Sequence, residues 1–306
     1  MSIIEQAVRR LEELRRSGIE PPQPRATPVA HAPVVAATNA APAPAAQAAP
    51  VDMPAPPQAP SRSSRSVHID LTQLAATGYL TPDALRGQMA DEFRVIKRPL
   101  LANVQAVATG AAQRTNLILV TSSMPGEGKT FVAVNLAISL AMEMDRTVLL
   151  VDADVSRPSV LKRLGLPTSQ GLLDILTDPA LGVSDVLLRT NIPKLSLLPA
   201  GRPQARATEL LASDAMVRLL DELATRYADR ILIFDAPPLL PSTESRVLAT
   251  HMGQVVFVVE ANHTSQATVE QALATIEECP LVMPLLNKVG RSEVGSYYGY
   301  YAPTEA

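Results

Sequence analysis

The stretch that decides the fold runs Asn116-Leu117-Ile118-Leu119-Val120-Thr121-Ser122-Ser123-Met124-Pro125-Gly126-Glu127-Gly128-Lys129-Thr130-Phe131. Its opening run, 116–121, is apolar without alternation, as a strand buried on both faces should be. A tight loop with two glycines follows, and Lys129-Thr130 opens an apolar helix expected over 128–143. That order builds a phosphate cradle. Glycines let backbone N–H groups approach phosphate oxygens, and the helix N-terminus adds partial positive charge. The candidate nucleotide-binding residues here are Pro125, Gly126, Glu127, Gly128, Lys129, Thr130 and Phe131. Lys129 can reach the β and γ phosphates of ATP, and Thr130 offers a hydroxyl to Mg²⁺. The strict pattern G-x-x-x-x-G-K-[ST] is missed at one place, where Ser123 stands for the first glycine.

Working outward, further apolar runs lie at 147–151, 195–198, 231–235, 254–260 and 281–287, separated by helical patterns at 206–227, 243–250 and 265–278. Strands alternating with helices imply right-handed crossovers and a mostly parallel sheet with helices on both faces, an α/β class. Two of the runs end in carboxylates. Val148-Leu149-Leu150-Val151 leads into Asp152-Ala153-Asp154, and Ile231-Leu232-Ile233-Phe234 leads into Asp235-Ala236-Pro237-Pro238. Both endings fall at the C-terminal edge, where parallel sheets bind ligands. With Lys129, the acids Asp152, Asp154 and Asp235 are the candidate catalytic residues. Thr130, Asp154 and Asp235 are the candidate metal ligands, and Asp152 is the candidate proton acceptor. The roles of Asp152 and Asp154 are interchangeable at this level.

Composition bounds the rest. The 306 residues carry a formal charge of −3 with 19% charged residues, so no basic stripe points to nucleic acid. A single cysteine, Cys279, excludes an internal disulfide and fits a reducing compartment. No window holds ~18 uninterrupted apolar residues, and the charged N-terminus does not read as a secretory signal. Residues 1–19 read as an amphipathic helix with Ile4, Val8, Leu11 and Leu14 on one face, either solvated or docking a partner or a membrane surface. Residues 20–65 read as a disordered linker: positions 21–60 hold 12 Pro and 14 Ala, with only Arg25 and Asp52 charged. Residues 66–295 form the expected catalytic domain, and 296–306 a tail with Tyr297, Tyr298, Tyr300 and Tyr301. His251, His263, Glu209 and Cys279 are read as structural residues.

Taken together, the loop Ser122-x-x-Pro125-x-x-Gly128-Lys129-Thr130, the pair Asp152-x-Asp154 and the ending Asp235-x-x-Pro238 resemble the bacterial protein tyrosine kinases of polysaccharide synthesis, the BY-kinases. The segment 91–101, with the Pro/Ala linker ahead of it, is similar to the branch associated with exosortase-type exopolysaccharide loci. The resemblance implies a P-loop NTPase fold, ATP and Mg²⁺ as cofactors, and phosphorylation of tyrosine. It makes Tyr297, Tyr298, Tyr300 and Tyr301 autophosphorylation sites, usually served by a neighbouring subunit. Each phosphate would add about −1.5 to −2 charges at neutral pH.

The resemblance also implies a homo-oligomeric ring through an E-x-x-R-x-x-R helix, read here as Asp91, Arg94 and Lys97. Lys for Arg removes bidentate pairing with carboxylates. Ser156 stands where the family often has Arg after D-x-D-x, and Arg157 follows it. Asn287-Lys288 resembles the position that reads the adenine base. The implied partners are a membrane-spanning activator akin to a chain-length determinant and a tyrosine phosphatase, and the implied location is the cytoplasmic face of the inner membrane. Two other functions fit a P-loop domain, a positioning or partitioning ATPase and a nucleotide-gated scaffold of a secretion complex. Met124-Pro125 replaces the signature Lys-Gly of the former.

Overall fold

Burial on both faces of the strands sets the architecture. In the computed structural model, which describes residues 65–84, 86–106, 114–226 and 230–290, Ile118 and Val120 enter one core while Leu117 and Leu119 enter another. The same split divides Val148 and Leu150 from Leu149 and Val151, and Ile231 and Ile233 from Leu232 and Phe234. Alternate side chains of a strand leave opposite faces. A run that is apolar throughout therefore needs a helical layer on each side, and the chain supplies both.

Among the described residues, eight strands form the sheet: β1 (Arg65–Ser66), β2 (Leu117–Ser122), β3 (Thr147–Asp152), β4 (Leu188–Arg189), β5 (Leu195–Leu198), β6 (Arg230–Asp235), β7 (Gln254–Glu260) and β8 (Val282–Asn287). Their order is β1-β4-β5-β3-β6-β2-β7-β8, parallel except for β4 against β5. One face is covered by α1 (Leu71–Ala76), α2 (Gln88–Ala106) and α3 (Lys129–Ala141), which contribute Leu74, Phe93, Leu100, Leu136 and Leu140 to the core. A short helix, α4 (Val160–Arg163), adds Val160 and Leu161 to the same core. The other face is covered by α5 (Leu172–Thr177), α6 (Val183–Val186), α7 (Ala207–Leu211), α8 (Asp214–Arg226), α9 (Thr243–Thr250) and α10 (Gln266–Leu273). Among the described residues, no helix is long and apolar enough to cross a membrane.

The six expected strands are present, and β1 and β4 are additional. The helix expected over 206–227 divides at Ser213, whose hydroxyl donates to the Leu210 carbonyl (2.7 Å) and so competes with the helical ladder. The helix expected over 265–278 tightens to a 3₁₀ turn at Ala274–Ile276. The chain divides into Met1–Pro57 and Gln58–Ala306, and every described residue belongs to the second part. The amphipathic segment 1–19, nearly all of the linker 20–65 and the tail tyrosines Tyr297, Tyr298, Tyr300 and Tyr301 lie outside the described residues.

Candidate active site

Strand order brings the candidate residues to one rim. β6 lies between β3 and β2, so the Asp-x-Asp ending, the Asp235 ending and the phosphate loop emerge side by side. Asp152 is in register with Asp235, and Asp235 with Val120, two residues before Ser122 at the loop-bearing end of β2. The backbone N–H of Ala153 donates to the Asp235 carbonyl (2.8 Å), which continues the ladder past the strands. Nothing local in the sequence joins these three segments; the parallel sheet does.

The loop is shaped by its glycines. Gly126 (φ +96°) and Gly128 (φ +97°) adopt the left-handed region, which a side chain disfavours. A Cβ at 128 would also land on Nδ2 of Asn287. Gly128 is the N-cap of α3, so Lys129 and Thr130 occupy its first turn, where the unsatisfied N–H groups lie. Glu127 turns inward and is 2% exposed. One of its carboxylate oxygens accepts the Met124 N–H (2.7 Å) and the other the Thr264 hydroxyl, so the side chain of this loop residue braces the loop rather than facing the cleft. Asn287 donates from Nδ2 to the Glu127 carbonyl (2.9 Å). Lys288, at φ +60°, pairs with Glu260 at the end of the adjoining strand (2.9 Å).

The three acids differ in how they are engaged. Asp154 accepts the Arg157 N–H on Oδ1 (3.1 Å) and pairs with Lys129 Nζ through Oδ2 (3.1 Å). Asp152 uses Oδ2 to accept the N–H groups of Ser159 and Val160 (3.0 Å each), which caps α4, while its buried Oδ1 has no hydrogen-bond partner among the described residues. Asp235 is fully buried, and among the described residues neither of its carboxylate oxygens has a hydrogen-bond partner. Burial pushes the Asp152 carboxyl up to about 6, with Asp154 adding to the rise against the opposing backbone N–H groups. Burial pushes Asp235 up to about 7, opposed chiefly by the Lys129 ammonium and reinforced by its acidic neighbours. Thr130 Oγ1 lies 3.1 Å from Ser159 Oγ, tying the start of α3 to the loop after Asp154.

These residues fit a triphosphate and a divalent cation. Buried polar atoms are normally satisfied, and here three carboxylate oxygens are not. They sit beside a glycine cradle and an ammonium group. Among the described residues, no cluster of three or more His, Cys, Asp or Glu could hold a metal by itself. That suits Mg²⁺, which takes one or two protein oxygens and completes its shell with phosphate and water. A cleft of about 780 Å³ opens beside the loop, lined by Pro125, Gly126, Gly128, Lys129, Thr130 and Phe131 on one side. The rest of the lining comes from Asp154, from Arg157–Ser159 and Lys162–Gly165, and from Asp70, Thr77 and Tyr79 of the N-terminal wrap.

Asp91 and Arg94 form an exposed ion pair on α2. Lys97 does not join them. Its side chain is buried, donating to the Ser139 carbonyl (2.7 Å) and pairing with Glu143 (2.8 Å) at the end of α3. Several supporting residues escaped the sequence reading. Arg246 donates to the carbonyls of Leu239 (2.8 Å) and Leu240 (2.7 Å) and fixes the turn after Asp235. Asn135 accepts the Leu80 N–H (2.7 Å), and Asn191 exchanges two bonds with the Ile69 backbone, so the N-terminal wrap is pinned at both ends. A polar residue inside a strongly apolar helix was the one available signal for Asn135.

The fold and the site define a P-loop nucleotide-binding domain. The AAA domain family (AAA_31) matches residues 115–284. The chain belongs to that family, and the relatives it resembles include bacterial tyrosine-protein kinases. It is 31% identical over 187 residues to the tyrosine-protein kinase ptk of Acinetobacter johnsonii, covering 60% of this chain and 25% of the relative. It is 29% identical over 215 residues to the tyrosine-protein kinase YwqD of Bacillus subtilis (strain 168), covering 69% of this chain and 86% of the relative. Among solved structures, the chimerical protein CapA2B2 superposes with a TM-score of 0.57 at 26% identity, covering 72% of this chain and 93% of that one. The chain thus spans a quarter to a third of the first relatives it matches, and most of the shorter ones.

Proposed function

We propose that this domain is a tyrosine kinase that transfers the γ-phosphoryl group of ATP to tyrosines of its own tail, Tyr297, Tyr298, Tyr300 and Tyr301. The observation that carries the reading is the set of buried, unpartnered oxygens on Asp152 and Asp235, beside Lys129 and the glycine cradle. Pro125, Gly126, Gly128 and Thr130 would hold the phosphates, with the backbone rather than the side chain of Glu127. Thr130, Asp154 and Asp235 would hold Mg²⁺, which supplies charge neutralisation of the phosphates when bound. Lys129 exchanges Asp154 for phosphate oxygens and stabilises charge on the transferring group. The tyrosine oxygen bonds to the γ phosphorus, the bond to the β–γ bridging oxygen breaks, and ADP leaves. Asp152, through its free Oδ1, accepts the phenolic proton. An acid raised to about 6 is still ionised at neutral pH and is a stronger base than an ordinary aspartate.

In this reading the kinase serves exopolysaccharide synthesis and export. It acts at the cytoplasmic face of the inner membrane with a membrane-spanning activator, in a homo-oligomeric ring contacted through Asp91 and Arg94, and is reset by a tyrosine phosphatase. The residues 1–19, 20–65, 66–295 and 296–306 would be anchor helix, linker, catalytic domain and acceptor tail. Purified full-length protein with ATP and Mg²⁺ should gain phosphotyrosine. Lys129→Ala should lower the rate by roughly 100- to 1,000-fold, and a chain ending at Gly295 should lose the signal. Undiminished signal in either variant, or inorganic phosphate released with no phosphotyrosine, overturns the kinase reading; the second result favours a hydrolysing ATPase.

A further inference from the structure

The cleft continues beyond the phosphate loop, and its far wall is cationic. Arg157, Lys162 and Arg163 line it and are exposed, and none of them has a carboxylate partner among the described residues. The Lys129 ammonium, by contrast, is taken by Asp154. That leaves Asp70 as the one other acid in the lining, and its Oδ1 already accepts the N–H groups of Thr72 and Gln73.

Lys162 and Arg163 are also held in place. They occupy the last turn of α4, a single-turn helix clamped at both ends. Asp152 accepts two N–H groups at its start. At its end Gly165, at φ +68°, donates to the Lys162 carbonyl (3.2 Å), and Leu166 donates to the Leu161 carbonyl (2.9 Å). That pair of bonds is the Schellman stop, and Leu166 packs on the core beneath it. Between this wall and the loop, Tyr79 and Phe131 meet with ring centroids 5.2 Å apart and give the cleft an aromatic surface suited to a phenol ring.

We propose that Lys162 and Arg163 form an anion subsite on the acceptor side of the cleft, selecting tyrosines that have a negative group a few residues away. The inference rests on the kinase reading above. The ligand chemistry is a carboxylate or a phosphotyrosine phosphate next to the acceptor. In the tail, Tyr297-Tyr298-Gly299-Tyr300-Tyr301 places each tyrosine within reach of another, so the first phosphate converts its neighbour into a better acceptor. A phosphate, carrying about −1.5 to −2 charges, outbids a carboxylate at the same place.

The test uses the full-length protein and three synthetic peptides spanning Arg291–Ala306. One is unmodified, one carries phosphotyrosine at 301, and one carries Tyr301→Glu. Wild type should transfer phosphate to the phosphorylated peptide with kcat/KM roughly 10-fold above the unmodified one, with the glutamate peptide between them. Lys162→Gln/Arg163→Gln should erase that preference through acceptor KM, leaving KM for ATP and the rate on the unmodified peptide within about twofold. Lys162→Glu/Arg163→Glu should reverse the order. Equal wild-type rates on all three peptides, an unchanged preference in the glutamine variant, or a KM for ATP that rises in step with acceptor KM each overturn the subsite while leaving the kinase standing. No transfer to any peptide, with no phosphotyrosine on the tail, sinks both readings.

Discussion

The phosphate loop has two unlike flanks. On the β7–β8 side it is closed: Glu127 takes hydrogen bonds from Met124 and Thr264, and Asn287 fills the space at Gly128 and bonds the Glu127 carbonyl. On the β3 side it faces an open cleft whose wall is a one-turn helix with two exposed cations. On the closed flank the buried Glu127 carboxylate has a donor on each oxygen, whereas among the described residues three carboxylate oxygens beside the open flank have no hydrogen-bond partner. A buried polar group without a partner costs about 1–3 kcal/mol, so the two flanks are built for different purposes. One holds a backbone in a fixed shape, and the other stores unmet demand for a ligand.

The largest effect expected from breaking this contrast comes at Gly128. Gly128→Ala adds a Cβ at a positive φ and against Asn287, and should weaken nucleotide binding by about 100-fold in a fluorescent-nucleotide titration. Adding Asn287→Ala removes the clash and should recover part of the thermal stability but not binding, because the backbone strain stays.

Asp235 sharpens the contrast from the open side. Its carboxyl titrates near 7 in the folded protein against an ordinary value of 3.8. Between those values the unfolded chain is ionised while the folded one keeps its proton, so the wild type loses stability as pH rises. Asp235→Asn should match wild type near pH 4, then become more stable by a few kcal/mol as pH climbs to about 7, with no further gain above it. Denaturant melts of the nucleotide-free proteins across that range check it; a difference that is flat with pH refutes it.

The smallest effect is expected at Thr264. Thr264→Val removes one donor from the buried Glu127 carboxylate and should cost about 1–2 kcal/mol in stability and severalfold in nucleotide affinity. Thr264→Ser should restore both.

The central sheet was legible because strands covered on both faces are apolar at every position, and a run such as Val148–Val151 admits few other readings. β1 and β4 were not, since two residues carry no periodicity. Within the site, Lys129, Thr130 and the three acids announce themselves by chemistry next to a strand end. Thr264 does not, because its meaning lies in a contact with Glu127 well over a hundred residues away in the chain; Asn287 is legible only through its resemblance to a base-reading position, and its bond to the Glu127 carbonyl is not. Lys97 shows the limit of spacing arguments. Its distance from Asp91 and Arg94 puts it near their side of α2, but the carbonyl of Ser139 and the carboxylate of Glu143 draw it inward.

That inward turn makes an anchor. Lys97 grips the far end of the same 13-residue helix whose first residue is Lys129, a rod about 20 Å long. Lys97 and Lys129 are thus the two ends of one continuous hydrogen-bonded span, the first anchored in the core and the second facing the cleft.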